Sequence, residues 1–287
     1  MMTPRLFAVV LALAGLNLSH ALADTLSVPS EYATIQDAIE ASSDGDVIAI
    51  AAGAYYVDSL NPGGKEITIL GAIHLDGAPA SVLDGSGSHQ VVRCETGEGA
   101  ATIFKNLVIQ NGKDCNGGGM RLSDSSPTLI NCTFTNNIAT CNGGGLYSTG
   151  SSTFTDCTFS NNKTNGTYGR GGGVYAEGSP AFINCTFTNN DCKNEGGGLY
   201  RKNSGGGVPN LTNCTFYGNT AEEAGGGMYN QNGDLITLTD CTFSFNLAPE
   251  GGGMYNNLAV NVDLTSCTIS GNVASSSGGG IFQGSNS

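Results

Sequence analysis

Six ring-bearing side chains fall at one phase of this 287-residue chain: Tyr147, Tyr175, Tyr200, Tyr229, Tyr255 and Phe282, each two places after a run of three glycines, with Arg121 heading the column. A row of aromatic faces can stack against sugar rings or a partner protein. The same row can also serve the fold alone, as a stacked ladder that shields the backbone. If Met120, Leu146, Val174, Leu199, Met228 and Met254 face inward, alternation turns the rings outward.

Other residue types that carry chemistry keep the same phase. Glu195, Glu222, Glu223 and Glu250 precede successive glycine runs and could gather along one edge as calcium ligands. The GGxGxDxUx calcium repeat is absent, so a solvated acidic edge is the competing reading, and no cofactor is expected. His74 and His89, the only histidines after the leader, lie in no CxxC or HxxxH pattern, which leaves zinc without ligands. Of the ten cysteines, Cys115 and Cys141 each stand two residues before a glycine run on adjacent repeats and form the disulfide candidate. Cys132, Cys157, Cys185, Cys214, Cys241 and Cys267 recur together and read as buried thiols; Cys192 occupies a slot that is elsewhere Ala or Thr, and Cys94 has no evident partner.

The elements that position these residues follow from the repeat. Triplets of glycine begin at Gly117, Gly143, Gly171, Gly196, Gly225, Gly251 and Gly278, at spacings of 25 to 29 residues. NCTF at Asn131, Asn184 and Asn213, DCTF at Asp156 and Asp240, and SCTI at Ser266 keep step with them. Such a period marks a solenoid whose units are covered by their neighbours, with equivalent residues one strand spacing apart. Leu129, Phe154, Phe182, Leu211, Leu238 and Leu264 then form one interior ladder, the six cysteines a second, and Phe134, Phe159, Phe187, Phe216, Phe243 and Ile269 a third. Asn137, Asn162, Asn190, Asn219, Asn246 and Asn272 read as a corner, where asparagine tolerates left-handed backbone and bonds along its own stack, and the triplet as a sharper one. Short strands joined by an Asn corner and a Gly corner predict an all-β, right-handed parallel β-helix.

Before the regular repeat, Thr34 to Asp37 has the form of a capping box, which predicts a short helix from Ile35 to Ala41 that covers one end of the solenoid. Strands are expected at 47–50, 67–70, 82–83, 91–92 and 103–109; Asp44-Gly45-Asp46 and Asp84-Gly85 read as turns. The expected organisation is a signal peptide over 1–23, an N-terminal cap with irregular first coils over 24–110, and regular coils over 111–287, whose C-terminal end is expected to be truncated or uncapped.

Arg5, the apolar run Leu6 to Leu18 and Ala21-Leu22-Ala23 carry the export signal, so the destination is secretion or the cell surface, with no membrane span after its removal. The full chain has 11 Lys+Arg and 24 Asp+Glu for a net charge of −13; without Arg5 the balance is 10 against 24, or −14. So acidic a surface repels nucleic acid and anionic lipid, and disfavours a polyanionic substrate unless a cation bridges the two.

The pairing of GGG plus an aliphatic residue with F-x-x-N is similar to the GGA[ILV] and FxxN repeats of chlamydial polymorphic membrane proteins, and resembles secreted right-handed β-helix repeat proteins of environmental bacteria over roughly Asn111 to Phe282. Tyr32 to Ile39 followed by Gly53-Ala54-Tyr55 resembles the opening of pectinesterases and other pectin-lyase-like proteins. The resemblance implies a pectin-lyase-like solenoid, and polysaccharide lyase or esterase activity as one function to consider. Strings resembling QDTL, DFIFGN, NTD or GHG are missing, and Arg93, Arg121, Arg170 and Arg201 lie in unrelated contexts. No catalytic residue is therefore assigned. Adhesion or binding of a carbohydrate or a cell-surface protein is the leading expectation. A polysaccharide-active enzyme and a purely structural module of a larger surface protein remain alternatives, and the oligomeric state is left open.

Overall fold

The computed structural model describes residues 23–202, 210–231, 235–257 and 261–284. The signal peptide read over 1–23 falls outside them apart from Ala23, as do the last three residues. Among the described residues no helix is long and apolar enough to cross a membrane.

Each regular coil lays down four short strands, as in 128–130, 133–135, 138–142 and 146–148, and each strand pairs in parallel with its equivalents above and below. Stacking gathers the described strands into four parallel sheets of ten, nine, seven and eight strands. The chain is thus the expected parallel β-helix, and right-handed coiling is what twisted parallel strands favour.

Three corners per coil are each made by one residue in left-handed conformation. The first is the residue before the cysteine, as at Asn131 (φ 50°), Asp156 (55°) and Asn184 (54°). The second falls at Asn136 (55°), Asn161 (54°) and Asn189 (54°), and the third at the first glycine of each triplet, such as Gly143 (64°). Short Asn and Asp side chains accept this conformation because they bond locally. The fourth connection varies in length and carries no such rule.

The second corner corrects the sequence reading. The left-handed residue stands one place before Asn137 and its equivalents, of which Asn137, Asn162, Asn190, Asn219 and Asn246 are buried. The Asn190 amide donates to Asn219 Oδ1 (2.9 Å) and to the Phe159 carbonyl (2.9 Å), while its own oxygen accepts from the Asn162 backbone N–H (3.0 Å). The amide is fully satisfied because every coil supplies the same partners.

The ladders run in the expected register, Leu129–Phe154–Phe182–Leu211–Leu238–Leu264 among them, and fill one continuous core with the cysteine and phenylalanine columns. The cysteines are free thiols; Cys185 Sγ lies 3.5 Å from the Phe154 carbonyl and 3.4 Å from that of Ile183. Burial pushes the Cys157 thiol well up, so it stays protonated. Cys192 packs with Ala221 and Ala248 in a small satellite cluster.

The helix spans Ile35–Ala41, with Thr34 Oγ1 accepting the Asp37 N–H (3.1 Å), and buries Ile35, Ala38 and Ile39. The stretch expected as one strand over 103–109 is two, Ile103–Lys105 and Leu107–Gln110, because Asn106 is left-handed (φ 58°). Asp44-Gly45-Asp46 is a turn, in which Asp46 accepts the N–H groups of Asp24 and Ser43, each at 2.8 Å; Asp84 instead ends the strand Ser81–Asp84 and accepts the Ser86 N–H at 2.7 Å where the next turn begins.

Candidate functional site

The aromatic column stands in register from Arg93 and Arg121 through Tyr147, Tyr175, Tyr200, Tyr229 and Tyr255 to Phe282. Its alternate positions, Met120 to Met254, are buried in the main core, so the rings lie on the other side of the sheet in a cluster of their own. That much follows from alternation. Successive rings stack at centroid distances of 4.9 to 5.2 Å, so both faces of each inner ring are covered by its neighbours.

An open row of sugar-stacking faces is therefore not what the column presents. Tyr175, Tyr200 and Tyr229 are buried, whereas Tyr147, Tyr255 and Phe282 are partly exposed. Arg170 closes over Tyr200, its guanidinium carbon 5.2 Å from the ring centroid. The Tyr200 hydroxyl donates to Gln231 Oε1. What remains at solvent is the edge of the column.

That edge meets a second column built by the triplet corner. Asn142, Arg170, Glu195, Ala224 and Glu250 are bridged in register immediately before the triplets. The following glycine must take positive φ, and the next has no room for a side chain: a Cβ on Gly226 would stand 2.5 Å from the Leu247 carbonyl oxygen. The turn folds the preceding residue back beside the tyrosines. A hollow of about 360 Å³ results, lined by Glu195, Glu223, Glu250, Tyr229, Tyr255 and Ser276 among others.

Arg170 Nε donates to Glu195 Oε2 at 2.8 Å. Burial, then the carboxylate of Glu195, push the Tyr229 hydroxyl up; burial, then Glu250, do the same at Tyr255. Both phenols are thus held protonated as donors beside acceptor carboxylates. The hollow can bind a polyhydroxylated ligand by its edges.

Of the four glutamates considered for calcium, Glu195, Glu223 and Glu250 share this hollow, while Glu222 pairs with Lys193 (2.5 Å). Among the described residues no group of three or more His, Cys, Asp or Glu side chains is close enough to hold a metal ion. Cys115 and Cys141 are joined, with Cα atoms 4.8 Å apart, one coil spacing. Sequence reasoning missed Arg170, Ser276 and the role of Tyr229 as a wall; the signal available was the residue just before each triplet.

A family model described as right handed beta helix region matches residues 145–287. This is a right-handed β-helix protein. A repeat of the Chlamydia polymorphic membrane protein type matches residues 131–149 of the β-helix. No curated protein matches its sequence. Among solved structures it is similar to the ORF18 protein of Geobacillus virus E2, at 13% identity and TM-score 0.53 over 85% of this chain, a likeness of fold alone. The chain spans about 60% of the length of that protein. The pectin methylesterase from Aspergillus niger also matches, at 14% identity and TM-score 0.49 over 92% of this chain and 90% of the other.

Proposed function

We propose that this β-helix is an exported, surface-acting protein that works by binding a polysaccharide and does no chemistry on it. The observation that carries the reading is the hollow where the tyrosine edge meets Glu195, Glu223 and Glu250. Phenol donors and carboxylate acceptors, side by side on a rigid sheet corner, match the paired hydroxyls of a sugar ring. A net charge of −13 favours an uncharged or amine-bearing glycan over a uronate. The disulfide between Cys115 and Cys141 and the polymorphic membrane protein repeat agree with an oxidising, extracytoplasmic destination.

The test is titration of the purified protein against uncharged, acidic and amine-bearing polysaccharides, with and without calcium, followed by assay of the products. The Glu223→Gln/Glu250→Gln double variant should weaken binding about tenfold, the loss of one to two charge-assisted hydrogen bonds. Release of unsaturated or reducing-end sugar by the wild type would overturn the non-enzymatic reading.

A further inference from the structure

The second corner of the coils holds an exception. Its left-handed residue is Asn111, Asn136, Asn161 and Asn189, then Gly218, Phe245 and Gly271. Phe245 has φ 56°, a conformation that a bulky side chain adopts only at a cost. Glycine stands at the same position on the coils either side. The ring lies down over one of them: a Cβ on Gly271 would stand 2.9 Å from Phe245 Cε1. Tyr217, beside Gly218, meets the Phe245 ring edge-on at 5.6 Å and 65°. Phe245 is 61% exposed and Tyr217 47%.

Nothing in the fold asks for this arrangement, since asparagine makes the same corner at Asn111, Asn136, Asn161 and Asn189 and is a residue that tolerates left-handed backbone. Strained residues that the fold does not require are found where they serve function. We propose that Phe245, with Tyr217 as its side wall, is a ring-stacking platform for an uncharged pyranose unit of a polysaccharide.

The chemistry selects that ligand. The Phe245 ring packs against Gly271 and is still 61% exposed, which leaves aromatic surface for the apolar C–H face of a sugar. The apolar patch consists of Tyr217, Phe245, Leu247 and Val273, four side chains, whereas a stable protein interface uses about 20–30 residues a side. The surrounding column is polar, with Lys163 paired to Asp191 at 2.5 Å. The acidic chain disfavours an anionic ligand or lipid surface.

The platform rests on the glycan reading above for its ligand class, but on none of that reading's residues. The strand Leu247–Glu250 runs from the Phe245 corner to Glu250 of the hollow, so one extended glycan chain has both sites along its path.

Affinity electrophoresis and calorimetry in hydroxyethylcellulose, galactomannan and polygalacturonate test the proposal, with phosphatidylcholine vesicles as a fourth arm. Phe245→Asn introduces the residue that four other coils use, so its melting temperature should equal or exceed that of the wild type. Its affinity for the uncharged polysaccharide should fall about tenfold, and Tyr217→Ser should fall less. Full affinity in Phe245→Asn overturns the platform, and if the Glu223→Gln/Glu250→Gln variant is then impaired the hollow alone carries binding. Loss in Phe245→Asn with the double glutamate variant unimpaired upholds the platform and removes the hollow. Binding of vesicles and of no uncharged glycan overturns the ligand assignment.

Discussion

In the first coils Lys65 and Glu98 hold the turns by contacts that are made once each, whereas from Asn106 onward the turn-forming groups are used by repetition. In the first coils Lys65 Nζ alone gathers the carbonyls of Ile39 (2.6 Å), Glu40 (2.9 Å) and Ser42 (2.7 Å), tying the helix end to the next coil. Buried Glu98 receives the Gly64 N–H (3.0 Å), the Thr96 N–H (3.0 Å) and the Ser125 hydroxyl (2.7 Å). In the regular coils the Asn137–Asn272 ladder, the left-handed corners and the glycine triplets repeat one solution. A single-use contact binds two or three segments and fails locally. A ladder rung is donor to one coil and acceptor for another, so its loss reaches both neighbours.

Glycine offers the largest test of that difference. A Cβ on Gly197 would stand 2.3 Å from the Gly226 carbonyl oxygen and 2.5 Å from that of Thr220, both backbone atoms of the next coil. Neither can withdraw without breaking a parallel ladder. Gly197→Ala should therefore cost about 4 kcal/mol or more in urea denaturation. In the first coils, Gly99 has no heavy atom within 4 Å of an added Cβ. Gly99→Ala should stay within about 0.5 kcal/mol of the wild type, and equal effects at the two sites would erase the contrast.

An asparagine rung comes next. Asn190→Ala leaves the Phe159 carbonyl, the Asn162 backbone N–H and the Asn162 side-chain amide without the bonds that Asn190 now gives them, while Asn219 Oδ1 keeps only the backbone N–H of residue 190. Orphaning these buried groups should cost about 3 kcal/mol. Hydrogen exchange should quicken at the Asn162 amide as well as in the coil that bears the mutation. Exchange confined to residue 190's own coil would contradict the two-sided role of a rung.

The regular coils were far more legible in the sequence than their working surface. Recurrence of Leu129, Cys132 and Phe134 at fixed offsets was enough to place the core, because parallel stacking converts period into register. It was also enough to pair Cys115 with Cys141. The aromatic column was placed on the right side of its sheet, yet whether its faces were open depended on ring spacing, which periodicity does not encode. The Asn corner was misplaced by one residue, because Asn136 and Asn137 are the same type and only backbone geometry separates the turn-former from the buried rung. Glu98 was not legible at all. A contact made once leaves no echo elsewhere in the chain.

Glu98 supplies the smallest of these effects and the one that depends on pH. Burial by itself would raise its carboxyl, but hydrogen bonds from Thr96, Ser125 and backbone N–H groups outweigh it and hold the group below the usual range for glutamate. A lowered native pKa means that the unfolded chain binds the proton more readily. The stabilisation is therefore fully present above the unfolded pKa and is lost as pH falls through the native one. Glu98→Gln keeps the shape but turns an NH₂ toward one of the donors that the carboxylate now accepts. It should cost about 2 kcal/mol at neutral pH, less than an asparagine rung. The gap between Glu98→Gln and wild type should close as the pH drops below the ordinary glutamate value, and exchange should quicken near Gly64 and Ser125 while the Asn137–Asn272 ladder stays protected. A gap that is constant from neutral to acid pH would mean that the contact works by shape alone.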